Sequence, residues 1–431
     1  MSTTTTTPPA RPDARALLNK VPEVTLWFWV IKILCTTVGE SFADYVNETL
    51  GFGLTNTTIL FTVVFVVVLG AQLRAPRYVP GLYWLTVVVV SVTGTLYTDI
   101  LTDQLAVPLW ISSAVFSALL AVVFGIWYAR ERTLSIHSIV TLPREAFYWL
   151  AVLVTFALGT ATGDWTLTLT GWGAGTSILL PATLIAITVV GWRMGGNAVL
   201  CFWVAYILTR PLGANIGDFL ASPRDPQDLT AGLGLGTLGT SLVFLGAILA
   251  TVVYLTVSKV DVIGSGSTAT PAVTDAHRRL GRERAVLALF GVVAVGTAGL
   301  LTYTDSQPHA SALDDAPAPS CSAGNAPTDD AAAHQLLVQR FPAADVTTFA
   351  TLTKDIRTAV DAGDARAAGT AATALESAWD KRADALTATD CQAWTYVDQR
   401  IDPVLSSVRA HRPEQATEDA ALTRLARTLG G

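Results

Sequence analysis

Charged residues are scarce in this sequence. Asp, Glu, Lys and Arg make up 14% of its 431 residues, whereas 51% are hydrophobic. Ordinary soluble proteins carry about 25% charged residues, so the composition excludes a soluble globular protein over most of the chain. Long apolar runs fill residues 23–303, while residues 304–431 are polar, alanine-rich and acidic. We therefore predict a polytopic membrane protein with a polar C-terminal domain.

Motifs that carry enzyme chemistry are also missing. The sequence lacks a nucleotide-binding loop, a catalytic triad, a haem motif and an H-E-x-x-H motif, and its apolar part lacks Cys/His metal-ligand spacing. An enzyme is therefore the least favoured class, and we expect no cofactor. Residues 1–19 lack an apolar core, which indicates a disordered arm and not a cleaved signal peptide. The net charge of −6 arises mostly in the tail and does not indicate a nucleic-acid partner.

One pattern occurs four times. A Phe or Tyr precedes a tryptophan, a glycine follows ten residues after the tryptophan, and an aspartate follows five residues later. Four ungapped matches in one chain indicate an internal repeat. The four sets are Trp29/Gly39/Asp44, Trp84/Gly94/Asp99, Trp149/Gly159/Asp164 and Trp203/Gly213/Asp218.

A second apolar run follows each motif, and each is long enough to cross a bilayer. The sequence thus predicts an all-α protein of four tandem helical hairpins, with eight spans that a pseudo-fourfold axis could relate, followed by a ninth span. The predicted segments are an arm at 1–19, a four-repeat domain at 20–258 (repeats about 23–73, 81–130, 145–193 and 198–258), a linker at 259–284, a ninth helix at 285–303, a tether at 304–330 and a helical bundle at 331–431.

Basic residues predict the orientation. They are frequent in the arm and between the hairpins, but Arg224 is the only one in the loops within hairpins. By the positive-inside rule, we expect a cytoplasmic N-terminus and an extracytoplasmic tail, in a bacterial plasma membrane. Such a compartment permits a disulfide between Cys321 and Cys391, the two cysteines of the tail, although two free thiols remain an alternative.

The repeated tryptophans and glycines have structural interpretations. Each tryptophan lies near the start of its helix, where an indole anchors at the headgroups; this assigns Trp29, Trp84, Trp149 and Trp203 as interfacial anchors. A small residue follows each glycine by four positions, which is typical of close helix packing at Gly39, Gly94, Gly159 and Gly213. A local helix break near a substrate is the alternative, most plausible at Pro211.

The charged residues within the spans carry the functional hypothesis. Ionised groups are costly in lipid, so four aspartates at one depth suggest a shared role in binding a cation. The candidate cation ligands are Asp44, Asp99, Asp164, Asp218 and Glu40. Helix capping by the aspartates is the alternative. We interpret Arg210 as a counter-ion for a carboxylate, or as lining a water-filled cavity, and expect Lys32 to snorkel to the cytoplasmic surface.

The polar tail shows helical periodicity, which predicts a four- or five-helix bundle. Its expected core residues are Trp379, Trp394, Val397, Ile401, Leu405 and Val408. Its acidic residues Asp380, Asp398 and Asp402 either form a solvated face or collect cations.

The first copy, "KVPEVTLWFWVIKILCTTVGESFADY", and above all its phrase "TTVGESFADY", resembles an uncharacterised family of bacterial membrane-anchored proteins built from a repeat of unknown function. The resemblance covers about residues 20–260. It implies several transmembrane helices and no settled activity, with a suspicion of transport or metal homeostasis.

Together these features favour a secondary transporter or exporter of a small cation, either a divalent metal or a proton-coupled ion. The expected partners are the lipid bilayer, a small cation and an extracytoplasmic protein. The alternative function is a membrane-anchored sensor or scaffold whose external bundle binds a partner. A scaffold would not need the aspartates, which distinguishes the two hypotheses.

Overall fold

The computed structural model describes residues 19–50, 52–105, 107–136, 139–222, 232–261, 276–306, 327–410 and 413–431. These residues form helices and connecting segments, without a strand, as the all-α prediction requires. The helices are α1 (Leu26–Asp44), α2 (Leu54–Arg74), α3 (Pro80–Asp99), α4 (Leu109–Glu131), α5 (Leu142–Thr170), α6 (Ala174–Ser177), α7 (Leu179–Arg193), α8 (Ala198–Ala221), α9 (Gly236–Ser258), α10 (Ala276–Asp305), α11 (Asp330–Arg340), α12 (Ala343–Asp361), α13 (Ala365–Val408) and α14 (Gln415–Leu429).

Nine helices in the described part of the chain are long and apolar enough to cross a membrane. Eight of them pair into the four predicted hairpins, and α10 supplies the ninth. Only 6% of the apolar stretch of α10 is buried inside the protein, against 56–72% for α1, α3, α5 and α8. The chain is therefore a polytopic membrane protein, and the first helix of each hairpin lies in its interior.

Local sequence explains where these helices begin. The Oγ1 of Thr25 accepts a hydrogen bond from the Phe28 amide at the start of α1, and Asn197 accepts bonds from the amides of Val199 and Leu200 at the start of α8. Such side-chain acceptors satisfy the free amides of a first turn. Helix α3 begins at Pro80, which needs no intrahelical partner there. Helix α8 continues through Pro211, so the alternative of a helix break at that proline is not observed.

The four first helices form a closed ring. Helix α1 packs against α3, α3 against α5, α5 against α8, and α8 against α1. Each second helix packs outside this ring, against the first helix of the following repeat: α2 on α3, α4 on α5, α7 on α8 and α9 on α1. The last hairpin therefore closes on the first.

The segment before α1 ties several repeats together. The Lys20 Nζ donates to Glu145 Oε2 at 2.7 Å and to the Leu73 carbonyl at 3.0 Å, and Gln72 donates to the other oxygen of Glu145 at 3.0 Å. Glu145 is fully buried, and these bonds compensate for its desolvation. Further along, the Glu23 amide donates to the Asp261 carbonyl at 2.9 Å, so the start of the first repeat meets the end of the fourth.

The tail packs around an apolar core of its own. Helices α11 to α14 bury all six predicted core residues, Trp379, Trp394, Val397, Ile401, Leu405 and Val408. Helix α13 bends at Asp390, whose φ of −156° and ψ of 94° are not helical and whose carboxylate caps the amide of Ala393. The Trp379 and Trp394 rings stack at 5.5 Å across this bend. The tail is thus a helical bundle, as predicted.

The cysteines separate into two groups. Cys35 and Cys201 are free, buried thiols within α1 and α8. Cys321 lies outside the described residues, so the disulfide with Cys391 stays a prediction. The side chain of Asp380 is likewise outside the described set, and a cation site in the tail also stays a prediction.

The interfacial-anchor prediction is wrong for three of the four tryptophans. Trp84, Trp149 and Trp203 are only 1%, 1% and 4% exposed, because their rings fill the space between helices. The Trp149 ring lies 5.4 Å from that of Tyr83, and Trp203 donates its indole N–H to the Leu134 carbonyl at 3.1 Å. Only Trp29 is partly exposed, and its role as an anchor stays a prediction.

Candidate functional site: the centre of the four-helix ring

Each repeated glycine lies against the first helix of the next repeat. A Cβ on Gly39 would meet Ser91 Oγ at 1.9 Å, and one on Gly213 would meet Thr36 Oγ1 at 1.9 Å. A Cβ on Gly94 would meet the Phe156 Cβ at 2.7 Å, and one on Gly159 would meet the Arg210 Cβ at 2.5 Å. None of these distances is tolerable for a real Cβ, so neighbouring helices approach closely at the four glycines.

The four contacts are equivalent. Positions in each repeat are counted from its tryptophan, which is position 0. Every glycine at position 10 then lies against the residue at position 7 of the next repeat. These position 7 residues are Thr36, Ser91, Phe156 and Arg210. The small residues at position 14 follow the same rule, since Gly217 lies against Thr37 and Gly163 against Pro211, both at position 8. The third hairpin thus makes the same contacts with its neighbours in the ring as the other hairpins do.

Arg210 is fully buried and its guanidinium lies where the other three repeats meet. It donates to Thr160 Oγ1 at 3.0 Å, to the Thr36 carbonyl at 3.1 Å, to Thr95 Oγ1 and to Glu40 Oε2. Glu40, Thr95 and Thr160 all occupy position 11 of their repeats, whereas the fourth repeat has Ala214 there. One arginine therefore bonds to one side chain from each other repeat.

Glu40 and Arg210 form an ion pair inside the ring, with side-chain exposures of 15% and 1%. The counter-ion interpretation of Arg210 is thereby supported, and its partner is Glu40. A buried guanidinium needs such a partner because it cannot be deprotonated in a protein. The pair lies in the interior of the membrane domain, where ionised groups mark functional sites.

Three of the aspartates at position 15 lie within electrostatic reach of this pair. Asp99 and Asp164 lie close enough to act electrostatically on the Arg210 guanidinium, and Asp218 is under the influence of both Glu40 and Arg210. All four aspartates, Asp44 included, are half-buried. Three of the four thus belong to one electrostatic cluster with Glu40, and the place of Asp44 in it stays a prediction.

The helix geometry changes directly after the aspartate in two repeats. Asp44 ends α1 and Asp99 ends α3, and each is followed by a five-residue π-helical turn, Tyr45–Thr49 and Ile100–Gln104. In the third and fourth repeats the α-helix continues for several residues beyond the aspartate. Single π-helical turns occur frequently at functional sites, and here they distinguish the first two repeats from the other two.

A ready metal site is not found at this cluster. Within the ranges that the structure describes, no group of three or more histidine, cysteine or acidic side chains is placed to hold a metal ion. Arg210, a permanent cation, is bonded to the Glu40 carboxylate instead. The divalent-metal version of the cation hypothesis therefore has no geometric support in these residues.

Lys32 is a second buried cation, and the expectation that it snorkels to the surface is wrong. Its side chain is 1% exposed, and its Nζ lies 3.6 Å from the ring centroid of Phe156 and 4.2 Å from that of Tyr206. Aromatic faces attract an ammonium group. Lys32 occupies position 3, two turns before Glu40 on the same helix, so it lies inside the ring on the tryptophan side of Arg210. Sequence reasoning missed it because only one repeat carries a lysine there.

Comparison with known families matches three segments of the chain, residues 27–78, 82–133 and 201–261, to the family described as Repeat of Unknown Function (DUF347). The matched segments correspond to the first, second and fourth hairpins, which confirms the resemblance to a repeat family of unknown function. No curated protein and no solved structure matches the chain. Three of the four hairpins of the membrane domain thus match the DUF347 repeat.

Proposed function

We propose that the four-repeat domain is a secondary transporter that couples the movement of a small cation to that of protons. One observation carries this proposal: the buried Arg210 guanidinium is bonded to Glu40, Thr95 and Thr160, one from each other repeat. A ring that served only as a scaffold could be closed with apolar side chains, often at no cost in stability.

Glu40 is the carboxyl group that pairs with Arg210 in this centre. As a carboxylate it neutralises Arg210, and as a neutral acid it no longer does so. The guanidinium would then turn toward the acidic side chains at position 15, of which Asp99 and Asp164 already act on it. Since Arg210 also holds Thr95 and Thr160, protonation of Glu40 would loosen contacts among all four repeats. Such a centre links proton binding to helix rearrangement.

The architecture is consistent with this role. Parallel repeats with a polar site at their common interface are an established transporter plan. The aspartates would then attract the transported cation, and we retain all four, with Glu40, as candidate ligands. We further propose the bacterial plasma membrane as location, with the N-terminus in the cytoplasm and the tail outside.

A sensor or scaffold is the second candidate, because the tail has a separate apolar core of its own. In that case the external bundle would bind a protein partner and the membrane ring would only hold it. Removal of residues 304–431 separates the two: a transporter keeps its flux without the tail, whereas a sensor loses its output.

The proposal is tested in proteoliposomes with a pH-sensitive dye trapped inside. Pulses of Na⁺, K⁺, Mg²⁺ or Mn²⁺ are applied to the outside, and at least one of them should change the internal pH. Glu40→Gln keeps the shape of the side chain and should abolish that change. Glu131→Gln is the matched control, because Glu131 is paired with Arg144 at 2.5 Å on a hairpin connection away from the ring centre. Absence of any cation-driven pH change in the unmodified protein, or an unaffected Glu40→Gln variant, would overturn the proposal.

A further inference from the structure

Tyrosine hydroxyls line the part of the ring between Lys32 and the end of the fourth repeat. The Tyr78 hydroxyl donates to Asp261 Oδ2 at 2.5 Å, and the hydroxyls of Tyr83 and Tyr148 are 2.5 Å apart. The rings of Tyr78 and Tyr83 are in edge contact, with centroids separated by 5.6 Å. These four oxygen-bearing side chains lie in a row that ends at a carboxylate, with hydrogen bonds at Tyr78–Asp261 and Tyr83–Tyr148 and a ring contact between Tyr78 and Tyr83.

A further tyrosine joins this row to Lys32. Tyr206 lies under the Lys32 ammonium, at 4.2 Å from ring centroid to Nζ. Its hydroxyl interacts with that of Tyr148 but is buried without a hydrogen-bond partner in the described part of the protein. Lys32 forms no ion pair within the same described residues. The Lys32 ammonium thus lies over the face of the Tyr206 ring, whose hydroxyl has unused bonding capacity.

The repeat pattern shows that these hydroxyls are not needed for packing. Tyr83 and Tyr148 directly precede the repeated tryptophans, and the first and fourth repeats have Phe28 and Phe202 at that position. A phenylalanine therefore fills the same space. Both tyrosines are fully buried, where a hydroxyl costs free energy unless it is bonded. Two neighbouring repeats share the substitution, and the two hydroxyls meet.

Asp261 is suited to collect a proton at the far end of the row. It lies beyond α9, its side chain is buried, and its Oδ1 has no hydrogen-bond partner within the described residues. Burial raises the pKa of Asp261, and the hydrogen bond from Tyr78 opposes this effect. By the predicted orientation, this end of the ring is the cytoplasmic one.

We propose that Asp261, Tyr78, Tyr83, Tyr148 and Tyr206 form a proton path between the cytoplasmic end of the fourth repeat and Lys32 inside the ring. In the inward-to-centre direction, an N–H bond of the Lys32 ammonium first breaks and an O–H bond forms on the Glu40 carboxylate, the proton acceptor of the proposed function. An O–H bond then breaks on protonated Asp261 and an N–H bond forms again on Lys32. Each tyrosine between them gives up one proton and gains one, so the four hydroxyls are unchanged in sum. The gap at Tyr206 is the point at which a small shift of α8 opens or closes the path.

This inference rests on the proposed function, because it describes the cytoplasmic half of a proton-coupled cycle. Tyr148→Phe and the double variant Tyr83→Phe/Tyr148→Phe remove the paired hydroxyls and keep both rings. The rate of the cation-driven internal pH change, measured with the same Na⁺, K⁺, Mg²⁺ and Mn²⁺ pulses, should fall by about 10-fold or more, since proton transfer by positioned groups supplies at least that factor. Asp261 lies outside the packed ring, and Asp261→Asn should slow the internal pH change by a similar factor.

Tyr97→Phe is the matched control. Its hydroxyl is hydrogen-bonded to Thr62 at 3.0 Å between α2 and α3, away from the proposed path, so its rate should stay within about twofold of the unmodified protein. Monodisperse elution in detergent verifies that each variant is folded. If the unmodified protein changes the internal pH and Asp261→Asn and Tyr148→Phe do so equally fast, the path is refuted while the proposed function stands. If the unmodified protein gives no pH change, both are refuted.

Discussion

Gly213 in the fourth repeat lies so close to Thr36 in the first that a Cβ on Gly213 would be 1.9 Å from the Thr36 Oγ1. Thr37 reinforces the contact by donating its hydroxyl to the Gly213 carbonyl at 2.9 Å. This junction joins the last repeat to the first and makes a closed ring out of a linear series of hairpins.

The first prediction concerns this junction. Gly213→Ala should destabilise the membrane domain by about 1–3 kcal/mol, because the added methyl group forces the two helices apart. Thermal unfolding in detergent, followed by intrinsic tryptophan fluorescence, measures the effect. Gly246→Ala in α9 is the control, since a Cβ there meets nothing within 4 Å. Equal unfolding midpoints for the two variants would contradict the ring geometry.

A second prediction separates the stability of the Glu40–Arg210 pair from its function. Arg210→Met leaves Glu40 buried without its cation, and it should lower the free energy of unfolding by about 3–5 kcal/mol. The double variant Glu40→Leu/Arg210→Met removes both charges and should recover most of that loss while remaining inactive in the proteoliposome assay. The same unfolding experiment compares the three proteins. A double variant as unstable as the single one would show that the two residues do not act as a pair.

The tail supplies a prediction on pH. Burial raises the pKa of Asp398 from 3.8 to about 6, although the Trp379 indole N–H that it accepts at 2.7 Å opposes the shift. Between these two values the folded tail binds more protons than the unfolded chain, so its stability should fall as the pH rises through this window, by at most about 3 kcal/mol. Burial opposes, but Tyr396 and Arg400 cause, a lowered pKa of Asp330. Asp330 therefore makes the stability of the tail rise with pH, which is the opposite of the effect of Asp398.

Hydrogen-exchange protection of α13 in the full chain, corrected for the intrinsic exchange rates, measures this dependence. Asp398→Asn keeps a hydrogen-bond acceptor for Trp379 and should reduce the pH dependence of this protection. A steeper loss of protection at acid than at neutral pH would contradict the assigned role of Asp398.

Reporter fusions test the topology. A fusion at Ser265 should report the cytoplasm and one after Gly431 the outside, because basic residues favour the cytoplasmic ends of the hairpins. A phosphatase that is active only outside and a fluorescent protein that folds only inside give independent readings. Identical readings at the two positions would contradict the nine-span topology.

The sequence predicted the ring's components better than its centre. Four ungapped copies specified the hairpins and the glycine contacts, because close packing between helices depends on short-range spacing that each copy repeats. Three of the four repeated tryptophans were misinterpreted because neighbouring helices cover them, and no single repeat shows which neighbour does so. Trp203, for instance, is covered by rings from α4, including Phe124 at 4.9 Å.

The centre was harder to predict because it depends on what differs between copies. Glu40, Thr95 and Thr160 share position 11, and aligning the four copies column by column would have placed them on one level with each other. It would not have shown that Arg210, one turn earlier in the fourth repeat, extends across to all three. That arrangement follows from cyclic closure, which hairpin spacing alone does not determine.

The central claim is that proton exchange at Glu40 makes and breaks its ion pair with Arg210. Infrared difference spectroscopy of the reconstituted protein, recorded as buffer is changed from alkaline to acid and as the transported cation is added, detects the carboxylic-acid C=O band directly. We predict a band that appears in acid, disappears when the cation is added, and is missing in Glu40→Gln but present in Glu131→Gln. A carboxylic-acid signal that is identical in the unmodified protein and in Glu40→Gln would contradict the account.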